Sequence, residues 1–126
     1  MDFPSGLSYS KTHEWIQDIG GGAARIGITD YAQNELGDIV FVNLPETGDE
    51  ASKGERIADV ESVKAVSDII SPLSGVVKAV NKDVADNPES MNADPYGAWL
   101  IEISDISDHE ELLSAEDYRA FCEEEG

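Results

Sequence analysis

The sequence contains little cysteine, little positive charge and no long apolar run. Its one cysteine, Cys122, cannot form an intramolecular disulfide or supply a cysteine-based zinc site. Eight lysine and arginine residues stand against 27 aspartate and glutamate residues, so the formal net charge is −19. Such a charge repels the phosphates of nucleic acids and of anionic lipids, and it disfavours both as partners. No apolar stretch approaches the roughly 18 residues that a membrane-spanning helix needs.

The N-terminus also lacks the features of a targeting segment. The first residues, MDFPSGLSYS, have neither the basic start and apolar core of a secretion signal nor the Arg-rich character of a transit peptide. We therefore expect a cytoplasmic protein, or a mitochondrial-matrix protein only if a presequence has been removed. The length predicts a single domain over residues 1–126, and we expect it to be a monomer. We expect no metal, because His13 and His109 share no ligand spacing with each other or with Cys122.

The pattern of apolar residues indicates a mainly β protein. Short runs rich in β-branched residues alternate with clusters of glycine, proline, asparagine and aspartate, which are turn signals. The three glycines at 20–22 predict a hairpin bend between two of these runs. The runs that predict strands are, in chain order, SYSKTHEWIQ, ARIGI, DIVFVNL, ERIADVESV, AVSDIISP, GVVKAVN and AWLIEIS.

Helix signals are few and lie in two places. Thr29 has the side chain of an N-cap, and the helix DYAQNEL that it begins should end at Gly37, because glycine favours the left-handed conformation after a helix. Near the C-terminus, Ser107 and Ser114 are each followed three residues later by an acidic residue, which is capping-box spacing. The sequence therefore predicts one short helix after Thr29 and two over about residues 107–124.

A weak internal repeat divides the β region. The pattern G-x-I-x-x-V-N that begins at Gly37 recurs as G-x-V-x-x-V-N from Gly75, and IADV from Ile57 is echoed by LIEI from Leu100. Chance similarity between short β segments is one explanation. The other is a pair of similar β hairpin units around a pseudo-twofold axis, whose junction would be an exposed turn near Lys64.

Lys64 lies in the stretch ESVKAVSDIISPLSG, where two predicted strands meet. Its neighbours Ser62, Val63 and Ala65 are small, so the lysine side chain would project from a hairpin tip. An enzyme that must grip and modify one lysine needs this kind of projecting side chain on a rigid backbone. The alternative is an ordinary solvated lysine, which is what most lysines are.

The motifs around Lys64 resemble those of biotinyl/lipoyl domains. A glycine turn and a strand are followed by E-S-x-K-A over 61–65 and by S-P-x-x-G over 71–75. The resemblance implies a mainly β fold of the barrel-sandwich hybrid type, with two quasi-repeated β units over about residues 24–104. It also implies short helices, including C-terminal ones. Biotin carriers usually have methionines around the lysine, and the lipoyl domains of 2-oxoacid dehydrogenases usually have an aspartate before it, so Val63 argues against both.

Nearly the whole chain, from about Leu7 to the C-terminal FCEEE, resembles the H-protein family of the glycine cleavage system. The stretches that carry this resemblance are HEW at 13–15, IGITDYAQNELGDIVFVNLPETGD at 26–49, ESVKAVSDI at 61–69 and DPYGAW at 94–99.

The family resemblance implies that Lys64 is the attachment point for lipoic acid, in a lipoylation frame of Glu61, Ser62 and Ala65. Amide formation would remove the lysine charge and create a long, flexible arm that ends in a dithiolane. After modification by a lipoate-attaching enzyme, the arm would visit a pyridoxal-phosphate glycine decarboxylase, a folate-dependent aminomethyltransferase and a dihydrolipoyl dehydrogenase. The chain itself would be a carrier without catalytic activity, because the chemistry belongs to the cofactor and the partners.

The resemblance also implies a surface cleft that shelters the aminomethyl group on the loaded arm. The glutamate of the family's S-H-E-W segment corresponds to Glu14, and the aspartate of V-S-D corresponds to Asp68. Thr12 replaces the more usual serine and keeps the hydroxyl group. On local grounds alone, Glu14 is equally well explained as a solvated strand carboxylate beside a buried tryptophan.

Two other functions remain open at the level of sequence. The chain could relay lipoyl groups to other enzymes, as some members of the family do. It could also be an unmodified, acidic, β-rich interaction domain that kept the fold and lost the cofactor. The mass of the protein from its native source distinguishes the second of these from a lipoyl carrier.

Overall fold

The computed structural model describes residues 1–125 of the 126-residue chain, and most of its ordered elements are strands. The strands are β1 (Ser8–Tyr9), β2 (Glu14–Gly20), β3 (Ala23–Ile28), β4 (Ile39–Asn43), β5 (Glu50–Ala51), β6 (Arg56–Ser62), β7 (Val66–Ile70), β8 (Leu73–Val80) and β9 (Ile101–His109). The helices are α1 (Asp30–Leu36), α2 (Lys82–Asp86), α3 (Ser90–Ala93) and α4 (Ala115–Glu125). The predicted mainly β class is confirmed.

The strands form two antiparallel sheets. The larger sheet has the order β1-β2-β3-β9-β8-β5, and the smaller one has the order β4-β6-β7. Apolar side chains from both sheets and from α2 and α3 form one buried cluster. Because one face of each sheet is buried in this shared core, β6 buries every second residue at Ala58 and Val60, and β4 buries Ile39 and Val42 on either side of an irregularity in its register.

The two segments of the internal repeat lie in different sheets. β4 pairs with β6 in the smaller sheet, and β8 pairs with β9 in the larger one. The registers differ, because Val42 is opposite Val60, whereas its counterpart Val80 is opposite Ile101. The turn that contains Lys64 joins β6 to β7, between the two similar units.

The helix after Thr29 is confirmed at both ends. The Thr29 hydroxyl accepts a hydrogen bond from the backbone N–H of Ala32, 3.1 Å away, and α1 begins at the next residue. The helix ends at Leu36, and Gly37 follows with φ of 77°, in the left-handed region that glycine adopts without steric cost. Neither α2 nor α3 was predicted.

The prediction of two C-terminal helices is wrong for the first of them. Ser107 lies in β9, whose end pairs with the start of β8 through Leu73 and His109. Pairing with a neighbouring strand outweighs a capping motif that the local sequence could also have used. The second helix, α4, is present, and the Ser114 hydroxyl accepts a hydrogen bond from the N–H of Asp117, 3.2 Å away.

Helix α4 packs on a second, aromatic cluster outside the main core. The cluster contains Phe3, Tyr9, Trp15, Tyr118 and Cys122. The rings of Tyr9 and Tyr118 are stacked with centroids 4.7 Å apart, so α4 is held against the start of the chain. No helix within residues 1–125 is long and apolar enough to cross a membrane.

Candidate functional site

Lys64 lies in a tight turn that is fixed by the hydroxyl group of Ser62. The Ser62 Oγ accepts hydrogen bonds from the backbone N–H groups of Lys64 and Ala65, both at 3.1 Å, and the Ser62 N–H donates to the Ala65 carbonyl at 2.8 Å. On the other side, the Val63 N–H donates to the Asp38 carbonyl at 3.0 Å. The backbone around Lys64 is therefore held on both sides while the lysine itself is exposed.

The amino group of Lys64 has no carboxylate partner among residues 1–125. The ion pairs in this part of the chain involve other cations, including Lys11, Lys53 and Lys78. The Lys64 side chain instead lies against Gly37, where a Cβ atom would approach the lysine Cε to 3.2 Å. Acylation removes the positive charge of a lysine and would break any ion pair that the lysine makes. Because Lys64 makes no such pair within this part of the chain, its acylation costs no ion pair there, and Lys64 fits the attachment of a lipoyl group.

The residues next to Lys64 form one rung of the smaller sheet. Phe41 on β4 is opposite Glu61 on β6, and Glu61 is opposite Val66 on β7. A register shift in β4 between Ile39 and Phe41 leaves Val40 and Phe41 both exposed. Glu61 thus lies between two exposed apolar side chains, in a position that the sequence motif did not reveal.

Glu14 is buried at the start of β2 and is not the solvated strand carboxylate of the local alternative. Its side chain is 2% exposed. The Ser10 hydroxyl donates to Glu14 Oε1 at 2.7 Å, and the Thr12 hydroxyl donates to the same oxygen. Burial raises the pKa of Glu14 to about 7, although hydrogen bonds from Thr12, Ser10 and the Ile70 backbone oppose this shift. A small change in its surroundings therefore decides whether Glu14 is charged at neutral pH.

A cleft of about 420 Å³ lies in front of Glu14. Thr12 and Ser10, whose hydroxyl groups donate to Glu14, form part of its wall, whereas Glu14 itself does not line it. The rest of the lining is Lys11, Gly54, Ile70, Glu110 and Glu111. Lys11 and Glu111 form an exposed ion pair of 2.7 Å. The sequence predicted Thr12 here, but it gave no signal for Ile70, Gly54 or Glu110, which come from distant segments.

Asp68 lies on β7, between the Lys64 turn and the cleft. It is exposed and is opposite Asp59 of β6. Because side chains alternate along a strand, Val66, Asp68 and Ile70 share one face of β7, and this face extends over about 13 Å. Ile70 lines the cleft, so this face connects the lysine turn with the cleft.

The turn before Glu14 is held in place by α4. His13 has φ of 73°, an uncommon value for a residue with a side chain. Its Nδ1 is 2.7 Å from the Tyr118 hydroxyl, and its Nε2 is 2.9 Å from the carboxylate of Glu125. The Tyr118 hydroxyl is also within 2.7 Å of Thr29 Oγ1. His13 thus has a structural role between α4 and the cleft wall, which its sequence context did not indicate.

Comparison with known proteins identifies relatives along nearly the whole chain. The family described as Glycine cleavage H-protein matches residues 7–125. A glycine cleavage system H protein of Lachnoclostridium phytofermentans is 52% identical over 119 residues, which is 94% of this chain and 94% of that protein. One from Staphylococcus epidermidis is 55% identical over 121 residues, covering 94% of this chain and 95% of the relative.

The fold is also similar to that of a solved structure. The crystal structure of a glycine cleavage system H protein from Mycobacterium marinum superposes with a TM-score of 0.88 and is 43% identical in sequence. The match covers 93% of this chain and 96% of that chain. The predicted fold class and family resemblance are confirmed by these matches.

Proposed function

The chain belongs to the glycine cleavage H-protein family, and from this membership we propose that it carries a lipoyl group on Lys64. The protein is a carrier of the glycine cleavage system and has no catalytic activity of its own. The observation that supports Lys64 most directly is its exposed position in a turn whose backbone is fixed by Ser62, without an ion-pair partner among residues 1–125. The lipoyl group would supply a disulfide that is opened and reformed, while the chain supplies its position.

The partners of this carrier are the enzymes that its family membership implies. A lipoate-attaching enzyme modifies Lys64. A pyridoxal-phosphate glycine decarboxylase would load an aminomethyl group onto the arm, a folate-dependent aminomethyltransferase would remove it, and a dihydrolipoyl dehydrogenase would reoxidise the arm. The rigid turn serves each encounter, because a fixed backbone reduces the conformational freedom that is lost when a partner binds.

The cleft is proposed as the shelter for the amine at the end of the loaded arm. Ser10 and Thr12 donate their protons to Glu14, and the Ser10 oxygen also accepts the backbone N–H of Glu14. The Thr12 oxygen, which lines the cleft, would accept a hydrogen bond from an ammonium group there. The positive charge would favour the ionised form of Glu14 and lower its pKa from about 7. Asp68, on the β7 face between Lys64 and the cleft, adds a second negative charge along the path.

The test of the carrier function is Lys64→Arg. Arginine keeps the positive charge but lacks the primary amine that forms the amide, so the variant should fold normally and carry no lipoate. Lys82→Arg is a matched control, because Lys82 is exposed and also lacks an ion pair among residues 1–125. Intact-mass analysis and peptide mapping of both variants, expressed with a lipoate-attaching enzyme, measure the result. Lipoate on the Lys64→Arg variant would refute the assignment.

A further inference from the structure

The exposed apolar side chains of this protein are concentrated beside Lys64. Four of the seven large apolar side chains that are exposed lie in or next to the smaller sheet: Val40 at 56%, Phe41 at 46%, Val63 at 67% and Val66 at 66%. We call these four residues the lysine-flanking patch. The other three, Met1, Ile19 and Val76, lie outside this sheet. Adjacent exposed apolar residues on a highly charged protein indicate an interaction surface.

The backbone geometry makes the lysine-flanking patch continuous. Phe41 and Val66 flank Glu61 on one rung of the sheet, and Val63 is joined through its N–H to Asp38, two residues before Val40. The register shift in β4 turns Val40 and Phe41 to solvent together, although two adjacent strand residues normally face opposite sides. The irregular strand therefore adds apolar surface next to Lys64.

We propose that the lysine-flanking patch is the docking surface for the enzyme that attaches the lipoyl group, and this inference rests on the proposed lipoylation of Lys64. The attaching enzyme must bring its activated lipoyl group to Nζ itself, so its contact surface has to cover the residues beside the lysine. Among the steps of the proposed function, attachment is the one that takes place at Nζ itself, at the base of the arm. Attachment forms an amide between Nζ and the lipoyl carboxyl carbon as the bond from that carbon to the activating group breaks. The activating group leaves with the bonding electrons, and the lysine ammonium group releases two of its three protons to solvent.

Charges around the patch indicate the chemistry of this partner surface. Glu61 lies within the rung, and the next outward-facing rung, formed by Asn43, Asp59 and Asp68, carries two carboxylates. The complementary surface has an apolar centre that receives Phe41 and the valines, with lysine or arginine residues at its rim. The apolar contacts determine how tightly the enzyme binds, and the charges increase the rate of encounter.

The test compares threonine substitutions inside and outside the patch. Threonine keeps the branched shape and the β propensity of valine but has a hydroxyl group in place of one methyl group, so it weakens an apolar contact without disturbing an exposed strand. The patch variant carries Val40→Thr, Phe41→Thr, Val63→Thr and Val66→Thr, and the control carries Ile19→Thr and Val76→Thr. Val66→Thr alone is a milder variant in case the fourfold variant fails to fold, and thermal melting checks all three.

Attachment is measured by mass spectrometry with a purified lipoate-attaching enzyme charged with its activated lipoyl group, at increasing concentrations of the carrier. We expect kcat/KM for the patch variant to fall by about tenfold or more, through KM, while the control stays within about twofold of the wild type. Val66→Thr should show a smaller increase in KM in the same direction. Added salt should raise KM for the wild type, because it screens the rim charges.

Three outcomes would overturn the proposal. A folded patch variant that is lipoylated at the wild-type rate would show that the attaching enzyme does not use this surface. A wild-type dimer that the patch substitutions dissociate, seen by sedimentation, would assign the patch to a second copy of the chain. An equal loss in the Ile19 and Val76 control would indicate a nonspecific effect. Failure of the carrier function itself gives a different result, which is a wild-type protein that carries no lipoate on Lys64.

Discussion

Lys64 and Glu14 lie in opposite environments. Lys64 is exposed in a turn, and the side chain of Ser62 in the same turn fixes it by accepting hydrogen bonds from the backbone N–H groups of Lys64 and Ala65. Glu14 is buried, and its hydrogen bonds and the cleft in front of it involve segments around residues 10–12, 54, 70 and 110. The attachment point is thus a local structure that a modifying enzyme can reach, whereas the shelter requires the complete fold.

The largest expected effect concerns the charge of Glu14. The folded chain binds a proton at Glu14 up to about pH 7, whereas the unfolded chain releases it near pH 4.5. The stability that protonated Glu14 contributes is therefore fully present below pH 4.5 and is lost as the pH rises through 7. Glu14→Gln removes this titration. The free energy of unfolding of the variant should therefore exceed that of the wild type by an amount that grows with pH between 4.5 and 7 and reaches about 3 kcal/mol above this range.

Urea unfolding of both proteins at a series of pH values measures this difference. Glu111→Gln is the matched control, because it removes an exposed carboxylate of the same cleft. A constant difference between Glu14→Gln and the wild type from pH 4.5 to above 7 would contradict the raised pKa of Glu14.

The second expected effect is on the stability of the aminomethyl group on the loaded arm. With its arm loaded, Glu14→Gln should lose ammonia about tenfold faster than the wild type in the absence of folate and transferase, because an ammonium group in the cleft loses its compensating charge. Attachment of lipoate at Lys64 should be unchanged, since that step takes place at the other site. Ammonia release from the purified, loaded proteins measures the effect, and Glu111→Gln again is the control. Equal rates would leave Glu14 with a structural role only.

The smallest expected effect tests whether the turn around Lys64 is stabilised independently of the cleft. Ser62→Ala removes the hydroxyl that accepts the N–H groups of Lys64 and Ala65. Because these groups are exposed and can bind water instead, the free energy of unfolding should fall by only about 1 kcal/mol. Hydrogen exchange of the Lys64 and Ala65 amides should become faster, while exchange in β2 and β3 stays the same. Ser62→Thr keeps the hydroxyl and should restore protection; faster exchange in β2 would show that the turn is coupled to the cleft.

The C-terminal segment shows where sequence patterns failed. Ser107 and Ser114 carry the same capping signal, yet only Ser114 precedes a helix. The difference is that the residues directly after Ser107, Asp108 and His109, pair with β8 and so continue the strand. The segment after Ser114 instead packs its Tyr118 and Cys122 in the aromatic cluster. A capping motif shows that a helix can begin, and tertiary neighbours decide whether it does.

The sequence by itself determined the features that depend on neighbouring residues. The β class, the helix from Thr29 to Gly37 and the turn with Lys64 were readable because caps, glycines and alternating apolar residues act over a few positions. The family motifs further identified Glu14, Thr12 and Asp68 as candidates. Only the tertiary structure decided that Glu14 is buried and bonded to the hydroxyls of Ser10 and Thr12, that Glu110 lines the same cleft as Thr12, and that four exposed apolar side chains lie in or next to the smaller sheet near the Lys64 turn. These features depend on burial and on strand register between distant segments, and no local pattern encodes either.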